Sequence, residues 1–409
     1  MDALIKVGIV FIGIIILQRF KIALTWIIFL AALVIGPLFN LSLWKTLETI
    51  FIGAASEKAI YLFLVLYMIA IMEAILRTTG ALGEITSRLN EIVRNPLISG
   101  SSLPALLGLL PSAGGARFSA PLTSSALENT SFKPGEKVFI NYWFRHIWEP
   151  FLPIYPALIL AVSIIPLELS SFITRNVVFS LLMFLIGWLV IFRKNKTEKL
   201  DNNFRLPPQK ILENIKRIFF IALPILIPVI AVITFKNGTE VLLYSLIMVV
   251  LGLLIFNRMG VQKSFSILKE AFKIEILLLV GAVLAFKEVL EVSGSLNLIG
   301  IFFQETGLTP LPIFILLPLI TGLLTGISQA YVGITFPLLR LLLPEDANML
   351  SWYSTAYLAG FMGVMLSPVH LCLILTKDYF KTELFSAFPY LFQAVIPMLL
   401  IIWLAFYFI

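Results

Sequence analysis

Long apolar runs, separated by short polar interruptions, dominate the chain. Ten of them are long enough to read as membrane spans, at about 3–18, 22–39, 58–77, 137–165, 172–192, 212–235, 239–257, 273–290, 350–376 and 385–409, since about 20 apolar residues in helix cross a bilayer. Two further apolar regions, 97–127 and 309–343, are broken near the middle by small and polar residues. Each is predicted to enter and leave on one side, as a re-entrant hairpin. The stretches 42–57 and 261–272 are amphipathic and are predicted to lie along the interface. The first run resembles a secretion signal, with Lys6 ahead of it. No small-residue cleavage site follows, and Arg19 and Lys21 close it, so it is read as a retained span.

The pattern repeats. IMEAILRTTGAL at 71–82 aligns with AFKEVLEVSGSL at 285–296, a shift of 214 positions. The same shift lays Gly108 on Gly322 and Ala116 on Ala330, and a shift of 215 lays Pro153 on Pro368. A nearly constant offset across several fragments predicts duplicated halves, 1–192 and 212–409, joined by a polar linker at 193–211. Each half then holds five spans and one hairpin. Five is odd, so the second half is inserted upside down, the arrangement of many secondary transporters. The expected fold class is therefore an all-α polytopic membrane protein built as an inverted repeat.

Charge agrees with this layout. With both hairpins returning to their own side, one face collects twenty-one of the 30 Lys and Arg residues and the other seven, leaving Arg117 and Arg145 within apolar segments. By the positive-inside rule the richer face is cytoplasmic. That places both termini outside and the protein in the cell membrane, in contact with lipid. The composition, 59% hydrophobic and 13% charged with mean hydropathy +1.00, excludes an ordinary soluble domain. The net charge of +7 is accounted for by these loops, and no nucleic-acid partner is expected. A single cysteine, Cys372, excludes an internal disulfide and a thiolate cluster.

Irregular backbone survives in hydrocarbon only where protein or water surrounds it. The first hairpin reads LLPSAGGARFSAP at 109–121, the second TGLLTGISQAYVG at 321–333. Helices restarting at such breaks aim free N–H groups and a positive dipole end at the membrane centre, which suits an anion. The candidate substrate-binding residues are Ser112, Gly114, Gly115, Arg117, Ser119, Thr325, Gly326, Ser328 and Gln329. The bland alternative is that the glycines only allow close helix packing. An intramembrane arginine costs at least about 2.5–3.5 kcal/mol unless partnered. Arg117 therefore either contacts a carboxylate or oxyanion solute, or pairs with Glu149 or another acid.

NYWFRHIWE at 141–149 precedes Pro150, Pro153 and Pro156, which must break the helix. Arg145, His146 and Glu149 fall within one turn and read either as a proton relay or gate, or as a static ion pair. Tyr142, Trp143 and Trp148 are expected in an interfacial aromatic belt. The equivalent segment of the second half is broken at Pro368, beside Ser367 and His370. His146 and His370 do not align in the repeat. His146 and Glu149 offer only two ligand atoms, so no metal site is expected, apart from sodium near the hairpin tips if sodium is the coupling ion. No cofactor is expected. Lys287, Glu288 and Glu291 read as snorkelling or paired residues at a span end.

The strings LLPSAGGARFSAP, NYWFRHIWE and LSPVHLCL resemble those of a prokaryotic integral-membrane family of unknown function. That family is placed in the ion-transporter superfamily with gluconate permeases, divalent-anion/sodium symporters and arsenite permeases. The resemblance covers most of the chain. It implies a homodimer and elevator-like movement of a transport domain, about 95–192 and 305–409, against a scaffold, about 1–94 and 212–304. The Ser-Asn-Thr signature of the divalent-anion symporters is absent: Gly114-Gly115 and Ser328-Gln329 stand at the hairpin tips.

The expected function is secondary active transport of a small anionic organic solute, driven by sodium or protons. An anion channel would use the same hairpins around a continuous pore. An intramembrane enzyme would use Ser367 with His370, or His146 with Glu149, and would leave the repeat unexplained. The chain is expected not to be an enzyme.

Overall fold

The protein's structure, a computed structural model, describes residues 2–20, 22–93, 95–109, 115–192, 207–235, 238–295, 298, 309–343 and 347–408. Among them every regular element is helical. In chain order the α-helices are α1 (Asp2–Arg19), α2 (Leu24–Leu38), α3 (Leu43–Ala54), α4 (Glu57–Thr78), α5 (Ala81–Ile92), α6 (Pro96–Gly108), α7 (Ala116–Ala126), α8 (Pro134–Arg145), α9 (Pro156–Ile164) and α10 (Leu169–Phe192). They continue as α11 (Pro208–Thr234), α12 (Gly238–Phe256), α13 (Val261–Ala271), α14 (Ile274–Val292), α15 (Leu311–Thr325), α16 (Ser328–Leu339), α17 (Met349–Met365), α18 (Leu371–Tyr379) and α19 (Phe388–Phe408). The linker up to residue 206 lies outside the described residues.

Each predicted run is helical, and the two amphipathic stretches are α3 and α13. Four helices are long and apolar enough to cross a membrane, at Glu57–Thr78, Leu169–Ile191, Pro208–Thr234 and Leu384–Tyr407, and four shorter ones are apolar as well. This is fewer than ten continuous spans, and for two of the runs the reason is local. The run 137–165 is cut into α8 and α9, and the run 350–376 into α17 and α18. Pro150 and Pro153 cannot continue α8, while Pro156 is pre-shaped to start α9. The same logic cuts the second run before Pro368. α5 had no counterpart in the apolar pattern because it is polar on most of its surface.

The largest side chains lie inside. Trp143 and Tyr142 of α8, Tyr331 of α16, and Tyr353 and Tyr357 of α17 are fully buried. This corrects the expectation of an interfacial belt for Tyr142 and Trp143. Their polar atoms find backbone acceptors instead: the Trp143 indole N–H donates to the Met183 carbonyl at 2.9 Å and the Tyr142 hydroxyl to the Val364 carbonyl at 3.3 Å. The outside carries exposed Ile9, Leu181, Ile230 and Leu251. Large apolar side chains exposed along the helices are the pattern of a chain solvated by lipid.

Charged residues at the span ends are paired. Glu291 accepts a hydrogen bond from Lys287 at 3.2 Å and forms an ion pair with Arg340 at 2.9 Å, and Arg77 bonds Glu270 at 2.5 Å. Outside the spans, Glu84 on α5 accepts from Arg217 at 2.7 Å and from Arg88 at 2.9 Å. Arg217 first, and Arg88 second, hold its carboxyl below the ordinary range. A depressed carboxylate stabilises the fold above its unfolded pKa, and that stability is lost as pH falls through the folded value. Glu84→Gln is expected to cost less than about 1 kcal/mol near neutral pH, because the pair is solvent-screened. The melting difference from the parent should shrink toward pH 4. A difference that grows on acidification would contradict this.

Candidate functional site

α6 and α7 form the first broken hairpin, α15 and α16 the second. Of the first tip, Ser112 and Gly114 lie outside the described residues. Gly115 is the residue before α7, and Ser119 is fully buried in it. Arg117 is exposed and makes no ion pair among the described residues. Of the two readings of Arg117, the pairing with Glu149 or another acid is therefore not formed among the described residues.

The second tip is tighter. Gly326 closes α15 in the left-handed region, φ +65°, where a side chain is strained. Its backbone also nestles against residues 367–370. A Cβ there would lie 2.9 Å from the His370 nitrogen and from the Ser367 hydroxyl. Thr325 caps the turn locally, its hydroxyl accepting from the Ile327 N–H at 3.3 Å. Ser328 donates from its hydroxyl to a Glu149 carboxylate oxygen at 3.0 Å. The second hairpin thus touches the broken helix of the first half.

Where α8 ends, His146 turns inward. Its Nδ1 lies 2.6 Å from the Tyr142 carbonyl, and its Nε2 lies 3.8 Å from Glu149. His370, the residue before α18, places Nδ1 2.7 Å from the Gly326 carbonyl. Its Nε2 faces that of His146 at 3.3 Å. Two histidines that the repeat did not align are in contact across 224 positions of sequence. Cys372, the second residue of α18, joins them, and one ligand atom from each of the three lies within 4.8 Å of the others. His146, Glu149 and Ser367 are buried.

Several flanking groups hold this cluster. The Tyr357 hydroxyl donates to the Glu149 carbonyl at 3.1 Å, and the Tyr155 hydroxyl to the Gly108 carbonyl. Thr123 donates to Asn141 at 3.1 Å, and the Asn141 amide donates to Thr376 at 2.9 Å, linking α7, α8 and α18. Arg145 ends α8 and is buried. Both ring nitrogens of His370 are turned to groups other than Ser367, so those two do not form a nucleophile–base pair.

Sequence reasoning missed Cys372, Asn141 and Thr376. The available signal was the spacing: Cys372 and Thr376 are four apart, one face of a helix, two residues beyond a histidine.

Two cavities flank the cluster. One, of about 460 Å³, is lined by Glu73, Arg77, Phe118, Pro156, Lys273 and Gln329 among others. It lies where α4 and α14 meet α7, α9 and α16. Gln329 faces this space, apart from Ser328. The other, of about 700 Å³, lies between α1, α2, Thr325, Pro368 and Val369, beside the turn that carries His370.

Broken helices around a buried polar centre, inside a lipid-facing shell, define an all-helical protein of the transmembrane type. The chain belongs to the family described as protein of unknown function DUF401, whose model matches residues 3–409. No curated protein matches the chain.

Proposed function

We propose that the protein is a secondary active transporter of a small anionic organic solute, with the solute held at the hairpin tips and a proton or sodium ion bound near Glu149. One observation carries this reading: Ser328, from the tip of the second hairpin, bonds the buried Glu149 of the first half's broken helix. A solute-side group and a titratable group therefore share one contact, which is what coupling requires. The start of α16, whose first residue bonds Glu149, and the start of α18, preceded by His370, add positive dipole ends beside it.

An inverted repeat of two halves supports the reading. Gly108 and Gly322, which the sequence shift pairs, both press on a backbone carbonyl, of Arg145 and of Gly360 respectively. Those two partners are themselves 215 positions apart. Likewise α7 packs on α18 and α9 on α16, contacts that exchange under the same shift. The larger family context would be the ion-transporter superfamily, with a homodimer and an elevator movement of 95–192 and 305–409 against 1–94 and 212–304. The cavity lined by Glu73, Phe118 and Gln329 then lies along that boundary.

A panel of organic and inorganic anions, with sodium or potassium and at two pH values, tests the proposal through thermal melting. Binding to the folded state raises the melting temperature, by roughly 2.7 kcal/mol of stability at a hundred times Kd. An anion should shift the parent and shift Arg117→Ala less. If only cations or neutral solutes shift the parent, the anionic solute is wrong.

A further inference from the structure

We propose that His146, His370 and Cys372 bind one divalent transition-metal ion of the zinc class. The argument starts from the two Nδ1 atoms. Each lies 2.6–2.7 Å from a backbone carbonyl, and a carbonyl can only accept. Each Nδ1 therefore carries the proton, and each neutral ring presents a lone pair at Nε2. The two lone pairs face one another at 3.3 Å, which is repulsive unless a cation lies between them.

The spacing matches a metal. Zinc–nitrogen bonds of about 2.0–2.1 Å at a tetrahedral angle put the two nitrogens roughly 3.3 Å apart. The carbonyl held by each Nδ1–H is the outer partner that metal-binding imidazoles ordinarily have. Cys372 supplies sulfur from the first turn of α18, where free N–H groups and the helix dipole favour the thiolate. Binding releases the thiol proton. The Cys372 thiolate then offsets one of the two positive charges, and the Glu149 carboxylate, 3.8 Å from His146, lies close enough to offset the other. Two imidazole nitrogens and a thiolate suit zinc or cobalt rather than magnesium or calcium. The cavity of about 700 Å³ reaches Pro368 and Val369, next in sequence to His370. This inference does not depend on which solute is carried. A bound metal would fix the histidines and leave any coupling proton to Glu149 or elsewhere.

The full-length protein in detergent is stripped with chelator, then titrated with Co(II) as an optical probe and with Zn(II). The expected result is one metal per chain by elemental analysis, and a sulfur-to-cobalt charge-transfer band with the strong visible bands of tetrahedral cobalt. Cys372→Ser should remove the charge-transfer band, and His370→Gln should weaken Zn(II) binding at least about tenfold. The spectrum of the parent decides the matter even if a variant fails to fold. No charge-transfer band in the parent, or zinc retained equally by Cys372→Ser and His370→Gln, would overturn the site. Transport need not be measured, so this outcome is separate from that of the transport proposal.

Discussion

Gly322→Ala should fail to reach a stable fold, and Gly108→Ala should behave the same way. A Cβ at Gly322 would sit 2.2 Å from the Gly360 carbonyl oxygen and 3.0 Å from the Val364 nitrogen. At Gly108 it would sit 1.9 Å from the Arg145 carbonyl oxygen. In both places the obstacle is helical backbone, which cannot swing aside as a side chain can. Overpacking a well-filled interior costs about 1–3 kcal/mol, and a backbone collision belongs at or beyond the top of that range. The natural control is Gly252→Ala in α12, where nothing lies within 4 Å of the new carbon. That variant should be neutral or slightly stabilised, because alanine is the better helix former by about 1 kcal/mol. Size-exclusion profiles and melting curves of the three variants give the answer. Wild-type melting for Gly322→Ala would mean that α15 and α17 are not in this contact.

Glu149→Gln should separate coupling from binding. The replacement keeps the size of the side chain and a carbonyl oxygen for the Ser328 hydroxyl, now 3.0 Å from the carboxylate. It removes the charge and turns one acceptor oxygen into an amide donor. If Glu149 carries the coupling ion, gradient-driven accumulation of the solute in proteoliposomes should fall at least tenfold, equivalent to about 1.4 kcal/mol. Exchange of solute against solute should persist, because the solute side of the site is intact. Melting should change little. Equal loss of accumulation and exchange would assign Glu149 to solute binding. Unchanged accumulation would remove it from the mechanism. A larger change such as Glu149→Leu is a poorer test, since it strands the Ser328 hydroxyl and adds the cost of an unsatisfied buried group.

Much of the architecture was legible in the order of residues, and the reason is physical. Apolar runs have one stable form in lipid, so every predicted run is helical. The cuts at Pro150–Pro156 and at Pro368 fall at prolines, which lack the N–H that would continue the ladder, although Pro224 and Pro228 are carried inside α11. The breaks at Gly115 and Gly326 follow from the same local rules, as does the positive first turn of each restarting helix. These features depend on neighbours within a few positions, and neighbours are what a sequence displays.

What only the tertiary structure decided is which distant groups share the centre. Arg117, the most conspicuous residue of the first hairpin, is exposed and is not the partner of Glu149. That partner is Ser328, 179 positions away. Tyr142 and Trp143 read as belt residues yet are fully buried, since nothing in a short string tells whether an aromatic ring faces a headgroup or another helix. His146 and His370 hold different places in the repeat and still meet at 3.3 Å, with Cys372 beside them. Side chains from two crossing helices converge or miss according to the angle and height at which the backbones pass. Close contacts such as Gly322 on Gly360 set that geometry, and it becomes defined only when the chain is folded.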